Sequence, residues 1–257
     1  MIQSIEIRNF KSIKSKFFHL RNLNVLLGLN GQGKSSFIQT LLLLRQSDKL
    51  NEGILKLNGG DSGLVNIGTT KDARYQYSKE HENLTFEIRF KDAESYKMEF
   101  DYQIDADIFQ QKMWLVDHFE NYFEVHKEEP LFTNKFQYLN AQRIEPRAEN
   151  KASYSSVVLN NDIGKYGEYT AHYIELRGNE EIEFDNILHK NSTTLDSVTR
   201  KTFTNKTLIN QINLWMGEVS PDVNIRTTRV TSELVLLEYV FKQPNFGNTN
   251  RYKPENV

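Results

Sequence analysis

One octapeptide near the start restricts what this chain can fold into. Gly28-Leu29-Asn30-Gly31-Gln32-Gly33-Lys34-Ser35 matches G-x-x-x-x-G-K-S, a phosphate-binding loop. Such a loop needs a strand entering it and a helix leaving it, because its backbone N–H groups must converge on an anion at a helix N-terminus. The flanks provide both. Leu23-Asn24-Val25-Leu26-Leu27 reads as a buried strand, and residues 36–45 carry Phe37, Leu41 and Leu44 at helical spacing. In that frame Lys34 supplies a point charge for the β- and γ-phosphates, and the Ser35 hydroxyl is a Mg²⁺ ligand. Asn30, Gly31, Gln32, Gly33 and Ser36 contribute N–H groups or side-chain contacts. The competing reading, a glycine-rich turn without a ligand, explains neither flank.

At 257 residues the chain suits one large domain, or one domain with an insertion. Its hydrophobic fraction of 38% and charged fraction of 26% fit a globular protein with a modest core. A net charge of −2 gives no compositional case for coating nucleic acid, though a local basic patch is compatible with it. There are no cysteines, which excludes a disulfide framework and thiol chemistry. The six histidines show no metal-binding spacing. The first residues lack the pattern of a signal peptide, and the run Leu41-Leu42-Leu43-Leu44 is far too short to span a bilayer. The expectation is a soluble, cytoplasmic protein without a membrane partner.

Two short strands are expected ahead of the loop, over residues 2–8 and 16–20, followed by the strand at 23–27. Simple P-loop kinases and GTPases usually have one strand there, so a different subclass with a mixed sheet is expected. Residues 46–74 are polar and punctuated by glycine. Residues 84–90 and 96–102 alternate strictly between apolar and polar and read as an antiparallel hairpin with one wet face. Residues 112–116 and 122–126 extend it into a meander, and residues 136–139 form another extended stretch. Residues 150–164 read as a loop, 167–176 as a helix and 190–200 as a flexible polar region. Leu208, Ile212 and Trp215 mark an amphipathic helix stopped at Gly217, and residues 224–231 and 233–242 make a hairpin-like pair.

Hydrolysis needs more than a phosphate loop: a carboxylate on a buried strand must hold Mg²⁺, and another group must polarise water. Leu234-Val235-Leu236-Leu237-Glu238 is the nearest approach, but it lacks the Asp and reads as an ordinary strand. The GTPase base-reading motif is absent too; Thr70-Lys71-Asp72 is only superficially like it.

Taken in order, Ile7-Arg8-Asn9-Phe10-Lys11-Ser12, the stretch from Leu23 through the loop to Ser36, and Leu41-Leu42-Leu43-Leu44-Arg45-Gln46-Ser47 resemble the ABC-type ATPase head of the RecF, SMC and OLD-like group. The likeness is greatest to compact bacterial "AAA family" ATPases of that group, several of which sit in phage-defence systems such as Septu and retrons. Tyr138-Leu139-Asn140-Ala141-Gln142-Arg143-Ile144-Glu145-Pro146-Arg147 and Ile163-Gly164-Lys165-Tyr166-Gly167-Glu168 are similar to later segments of the same group.

The resemblance implies an α/β P-loop fold of ABC-ATPase type, with a mixed sheet, an antiparallel β subdomain and helices. It implies a head spanning 1–257, with strands, loop and first helix in 1–50, the antiparallel subdomain in 64–140 and a helical and strand region in 141–257. ATP and Mg²⁺ are the implied ligands. Lys11 and Ser12 are placed near the phosphates or base, against the plainer alternative of a solvated turn. Gln142 is placed where such ATPases have a glutamine that senses Mg²⁺ and water, making Lys34 and Gln142 the implied catalytic pair. Arg143 and Arg147 favour a structural or interface role.

The implied partners are a second copy meeting across the nucleotide, an effector nuclease, and DNA. The family's signature and Walker B Asp-Glu do not occur in this sequence, so the resemblance also implies a fragment, a split gene product or a degenerate form. ATPase activity of this chain alone is then uncertain. The alternatives are an ATP-sensing module that does not hydrolyse, or a small-molecule P-loop kinase, which the early strand pair and the long antiparallel insert disfavour.

Overall fold

The computed structural model describes residues 1–61, 63–79, 81–112, 127–195, 201–242 and 249–252. The chain divides into two compact units, residues 1–136 and 137–257. The first contains β1 (Ile2–Phe10), β2 (Ile13–His19), α1 (Lys34–Gln46), β3 (Ile54–Lys56), α2 (Thr70–Ala73), β4 (Leu84–Phe90), β5 (Ser95–Asp101) and β6 (Ile108–Gln111). Its strands form one six-stranded sheet in the order β2-β1-β4-β5-β6-β3.

Period-2 alternation explains this sheet. Ile5 lies opposite Ile88, and Ile7 opposite Phe86. Phe86 in turn lies opposite Met98, and Leu84 opposite Phe100. All of these side chains are buried. The residues between them, among them Glu6, Arg8, Glu87 and Lys97, point to the wet face. Phe86 packs edge-on against Phe10 at 5.5 Å and near Phe100 at 5.9 Å. Each fully buried phenylalanine contributes roughly 1.5–3 kcal/mol. Helix α1 closes the core by burying Phe37, Leu42, Leu43 and Leu44.

Three expectations change here. First, every pairing in the sheet is antiparallel among the described residues, where a mixed sheet was expected. Second, residues 1–50 and the antiparallel region share this sheet, because β1 pairs with β4. Third, the expected buried strand at 23–27 is a ribbon of chain outside any helix or sheet. Leu23, Val25, Leu27 and Leu29 are 81%, 69%, 87% and 79% exposed, while Leu26 packs partly against the core. The apolar composition of a strand is present, but no neighbouring strand lies beside the ribbon among the described residues. Strands β3 and β6 are additions: β3 lies within the polar, glycine-punctuated stretch 46–74, and no element was expected at 108–111. The meander expected from residues 112–116 and 122–126 lies, apart from residue 112, outside the described residues.

The second unit contains β7 (Glu149–Lys151), α3 (Thr170–Arg177), β8 (Thr193–Leu195), β9 (Thr202–Thr204), α4 (Leu208–Val219), β10 (Val223–Arg229), β11 (Leu234–Lys242) and β12 (Thr249–Tyr252). β11 pairs antiparallel with β10, with β12 through residues 239–242, and with β7 through residues 234–236. The stretch 150–164 is therefore not all loop: it completes β7 and holds a single π-helical turn, Ser155–Leu159. The polar region from 190 carries a 3₁₀ turn, Lys190–Ser192, and β8, with residues 196–200 outside the described set. Helix α4 runs through Gly217 to Val219 rather than stopping at the glycine.

Candidate phosphate-binding site

The loop closes over the start of α1. Gly31 and Gly33 have φ of 81° and 87°, in the left-handed region where glycine carries little penalty. At Gly33 space is limiting as well: a Cβ there would lie 2.8 Å from Ile13 Cγ1 and 3.5 Å from Ser12 Oγ. The start of β2 thus lies directly against the last glycine of the loop.

Helix α1 begins at Lys34 with Gly33 as its N-cap, so no side chain caps it, and its first turn holds no acidic residue. Its first intrahelical bond runs from Phe37 N to Gly33 O at 2.9 Å. The N–H groups of Lys34, Ser35 and Ser36 precede that bond and are free to receive an anion, with the positive end of the helix dipole behind them.

Lys34 is folded back over the loop, its Nζ donating to the carbonyls of Gly28 at 2.6 Å and Leu29 at 2.8 Å. These neutral acceptors hold the ammonium at the loop mouth, where anionic oxygens can replace them with stronger charge-assisted bonds. The Ser35 side chain is exposed beside it, as a metal ligand on a bound nucleotide must be. Ser36 is buried and shares a 3.0 Å hydroxyl contact with Ser12. Asn30, Gly31 and Gln32 are exposed around the mouth, with Gln32 N donating to Leu29 O at 3.4 Å.

The turn between β1 and β2 therefore belongs to the loop's surroundings. Asn9 and Lys11 both have positive φ, 57° and 48°, and Lys11 N donates to Ala73 O at 2.8 Å. Nearby Asp72 is held below the ordinary carboxylate range by the Thr69 N–H and hydroxyl. Ser12 of the expected pair Lys11 and Ser12 lies against the loop, and Ile13, which was not singled out in the sequence, packs against Gly33 beside it. The available signal was the apolar residue directly after Lys11-Ser12, between the first two expected strands.

Gln142 lies in the second unit, exposed, its N–H 3.4 Å from Asn140 Oδ1. Arg143 Nε donates to Asn140 O at 2.8 Å, and the Arg147 carbonyl accepts from Asn150 Nδ2 at 3.1 Å, a structural use of that turn. Glu238 sits mid-strand in β11, opposite Arg226. Among the described residues no cluster of three His, Asp or Glu side chains forms a metal site, and no helix is long and apolar enough to cross a membrane.

The uncapped helix start, the retractable ammonium and the exposed Ser35 hydroxyl together fit a nucleoside triphosphate with its Mg²⁺. No curated protein and no solved structure matches this chain. A family model described as AAA ATPase domain matches residues 1–245, nearly the whole sequence, and brings ATP binding by a P-loop fold with it. The chain belongs to the AAA ATPase domain family.

Proposed function

We propose that this chain is the ATP-binding part of an ABC-type ATPase of the RecF, SMC and OLD-like group. Nucleotide-dependent dimerisation would control DNA engagement or a partner nuclease, in DNA repair or phage defence. The observation that carries the nucleotide half is the start of α1: free N–H groups, no acidic neighbour, and Lys34 held by two neutral carbonyls. On binding, Lys34 leaves Gly28 O and Leu29 O for the β- and γ-phosphate oxygens. The N–H groups around Gly33 take the β-phosphate, and the Ser35 hydroxyl would hold Mg²⁺. Gln142 is assigned to sensing the metal and the attacking water.

The exposed ribbon 23–29 supports the dimerisation half. Four large apolar side chains outside any sheet, directly joined to the phosphate loop, suit a surface that is covered when the nucleotide site is completed. A second reading, an ATP sensor that does not hydrolyse, is favoured by β11, where the apolar run ends at Glu238 facing Arg226 rather than in a free acidic pair.

Light scattering with and without MgATP, alongside a phosphate-release assay, tests these readings. An ATP-dependent dimer with turnover supports the first. Binding with neither dimer nor turnover supports the second. A monomer that ignores nucleotide refutes both.

A further inference from the structure

The β1–β2 turn touches the phosphate loop on one side and an aromatic loop on the other. On the first side Ser12 Oγ meets Ser36 Oγ at 3.0 Å. On the second, Lys11 N donates to Ala73 O at 2.8 Å and Tyr75 N donates to Asn9 O at 3.0 Å, with a bridge between Phe10 and Arg74. Residues 73–75 therefore run antiparallel along residues 9–11, one strand spacing (about 4.8 Å) beyond the turn.

The aromatic loop itself is held firmly. Ser78 N and Oγ both donate to Tyr75 O, at 2.9 and 2.7 Å. The Arg74 guanidinium donates to the Lys79 carbonyl and lies 4.4 Å over the Tyr102 ring. Asn9 Nδ2 donates to Asn83 O at 3.0 Å. On this fixed loop Tyr77 stands 74% exposed, its ring edge-on to Tyr75 at 5.6 Å. Beyond its edge contact with Tyr75, a large ring held in water by a rigid loop gives the fold little packing benefit, but it lowers the entropy cost of stacking a flat ligand.

We propose that Tyr77, backed by Tyr75, is the stacking platform for the base of the nucleotide whose phosphates occupy the loop at 28–36. The inference rests on the ATP-binding reading above and adds the group that recognises the base. The order of contacts supports it: Ser12 of the β1–β2 turn meets Ser36 at the start of α1, and residues 73–75, which lead into Tyr77, pair with residues 9–11 of the same turn. Base–aromatic stacking tolerates any base, so the platform sets affinity for a nucleoside rather than a choice among purines.

The test is calorimetric titration of the full chain with MgATP and, separately, with magnesium tripolyphosphate, which has the phosphates but no base. Tyr77→Ala is expected to weaken ATP binding about 5- to 100-fold and leave tripolyphosphate binding unchanged, while Tyr77→Phe keeps both. Tyr77→Trp is expected to show indole fluorescence quenched by ATP but not by tripolyphosphate. Unchanged ATP affinity in Tyr77→Ala overturns the platform, and so does equal weakening of both ligands. Failure of the underlying reading has a different appearance: the wild-type chain, with native circular dichroism, binds neither ligand and Lys34→Ala changes nothing, which overturns both.

Discussion

Replacing Gly33 by alanine probes the geometry of the loop with a single methyl group. Two costs add at that position. The backbone has φ of 87°, and holding an L side chain in the left-handed region costs about 1–2 kcal/mol. The new Cβ also lies 2.8 Å from Ile13 Cγ1, in the middle of a buried side chain that cannot swing away, and such overpacking costs about 1–3 kcal/mol. Gly33→Ala is therefore expected to lower stability by about 2–5 kcal/mol, read as a shift in the urea midpoint at constant m value.

The two costs separate in a double-mutant cycle. Ile13→Ala alone costs about 2–5 kcal/mol through the cavity it leaves, but in that background the steric part of the Gly33→Ala cost disappears. The pair should be less destabilised than the sum of the singles by about 1–3 kcal/mol. Strict additivity would refute the close approach of β2 to the loop. A Gly33→Ala variant as stable as wild type would refute the left-handed N-cap as well.

Glu99 accepts from Lys112 and Asn83, with Lys97 adding a third contact, and these bonds pull its carboxyl down from 4.5 to about 2. A depressed carboxylate stabilises the fold fully above the unfolded value and loses that contribution as the pH falls through the folded one. Urea melts should thus lose stability between pH 4.5 and about 2, and Glu99→Gln should flatten that part of the profile; an identical profile would contradict the network. His172 is buried, accepts from Ser153 N at 3.1 Å, and is held below its usual 6.5 by burial and by Arg229. The neutral form is favoured in the fold, so stability should decline as the pH drops below 6.5, and His172→Gln should remove that slope when melts at pH 7.5 and 5.5 are compared. Leu27→Ser, on the exposed ribbon, should change stability by no more than about 0.5 kcal/mol, whereas Leu43→Ala in the core should cost about 2–5 kcal/mol. Similar urea midpoints for the two would show that the ribbon is packed.

The parts legible in the sequence were those set by local chemistry. The alternation at 84–90 and 96–102 survives as β4 (Leu84–Phe90) and β5 (Ser95–Asp101) because each residue's face depends only on its neighbours in the strand. Helix α1 and the loop residues Asn30 to Ser36 follow from an octapeptide with one physical solution. The parts that were not legible depend on residues distant in sequence. The ribbon at 23–27 has the composition of a buried strand, but composition cannot supply a neighbouring strand. Strands β3 and β6 are short: β3 pairs only with β6, which is distant in sequence, and β6 meets β5 only through Phe100–Gln111 and Asp101–Gln110, so neither carries a full alternating signal. In α4 the apolar spacing pointed to Leu208, Ile212 and Trp215, yet the residue the structure buries is Gln211. Its amide accepts from His189 N at 2.8 Å and donates to Asn205 O at 2.8 Å, satisfying a buried polar group in a way hydropathy does not register.

The central claim is that the start of α1, with Lys34 as its movable cation, binds the phosphates of ATP. Calorimetric titration of MgATP into the wild-type chain and into Lys34→Ala, both checked for the same urea midpoint, tests it most directly. Lys34 is held by two loop carbonyls and takes no part in the core, so its removal should leave the fold intact. Saturable binding is expected of the wild type, with a loss of at least about tenfold in Lys34→Ala, the equivalent of about 1.4 kcal/mol. Equal affinity in the two proteins would contradict it.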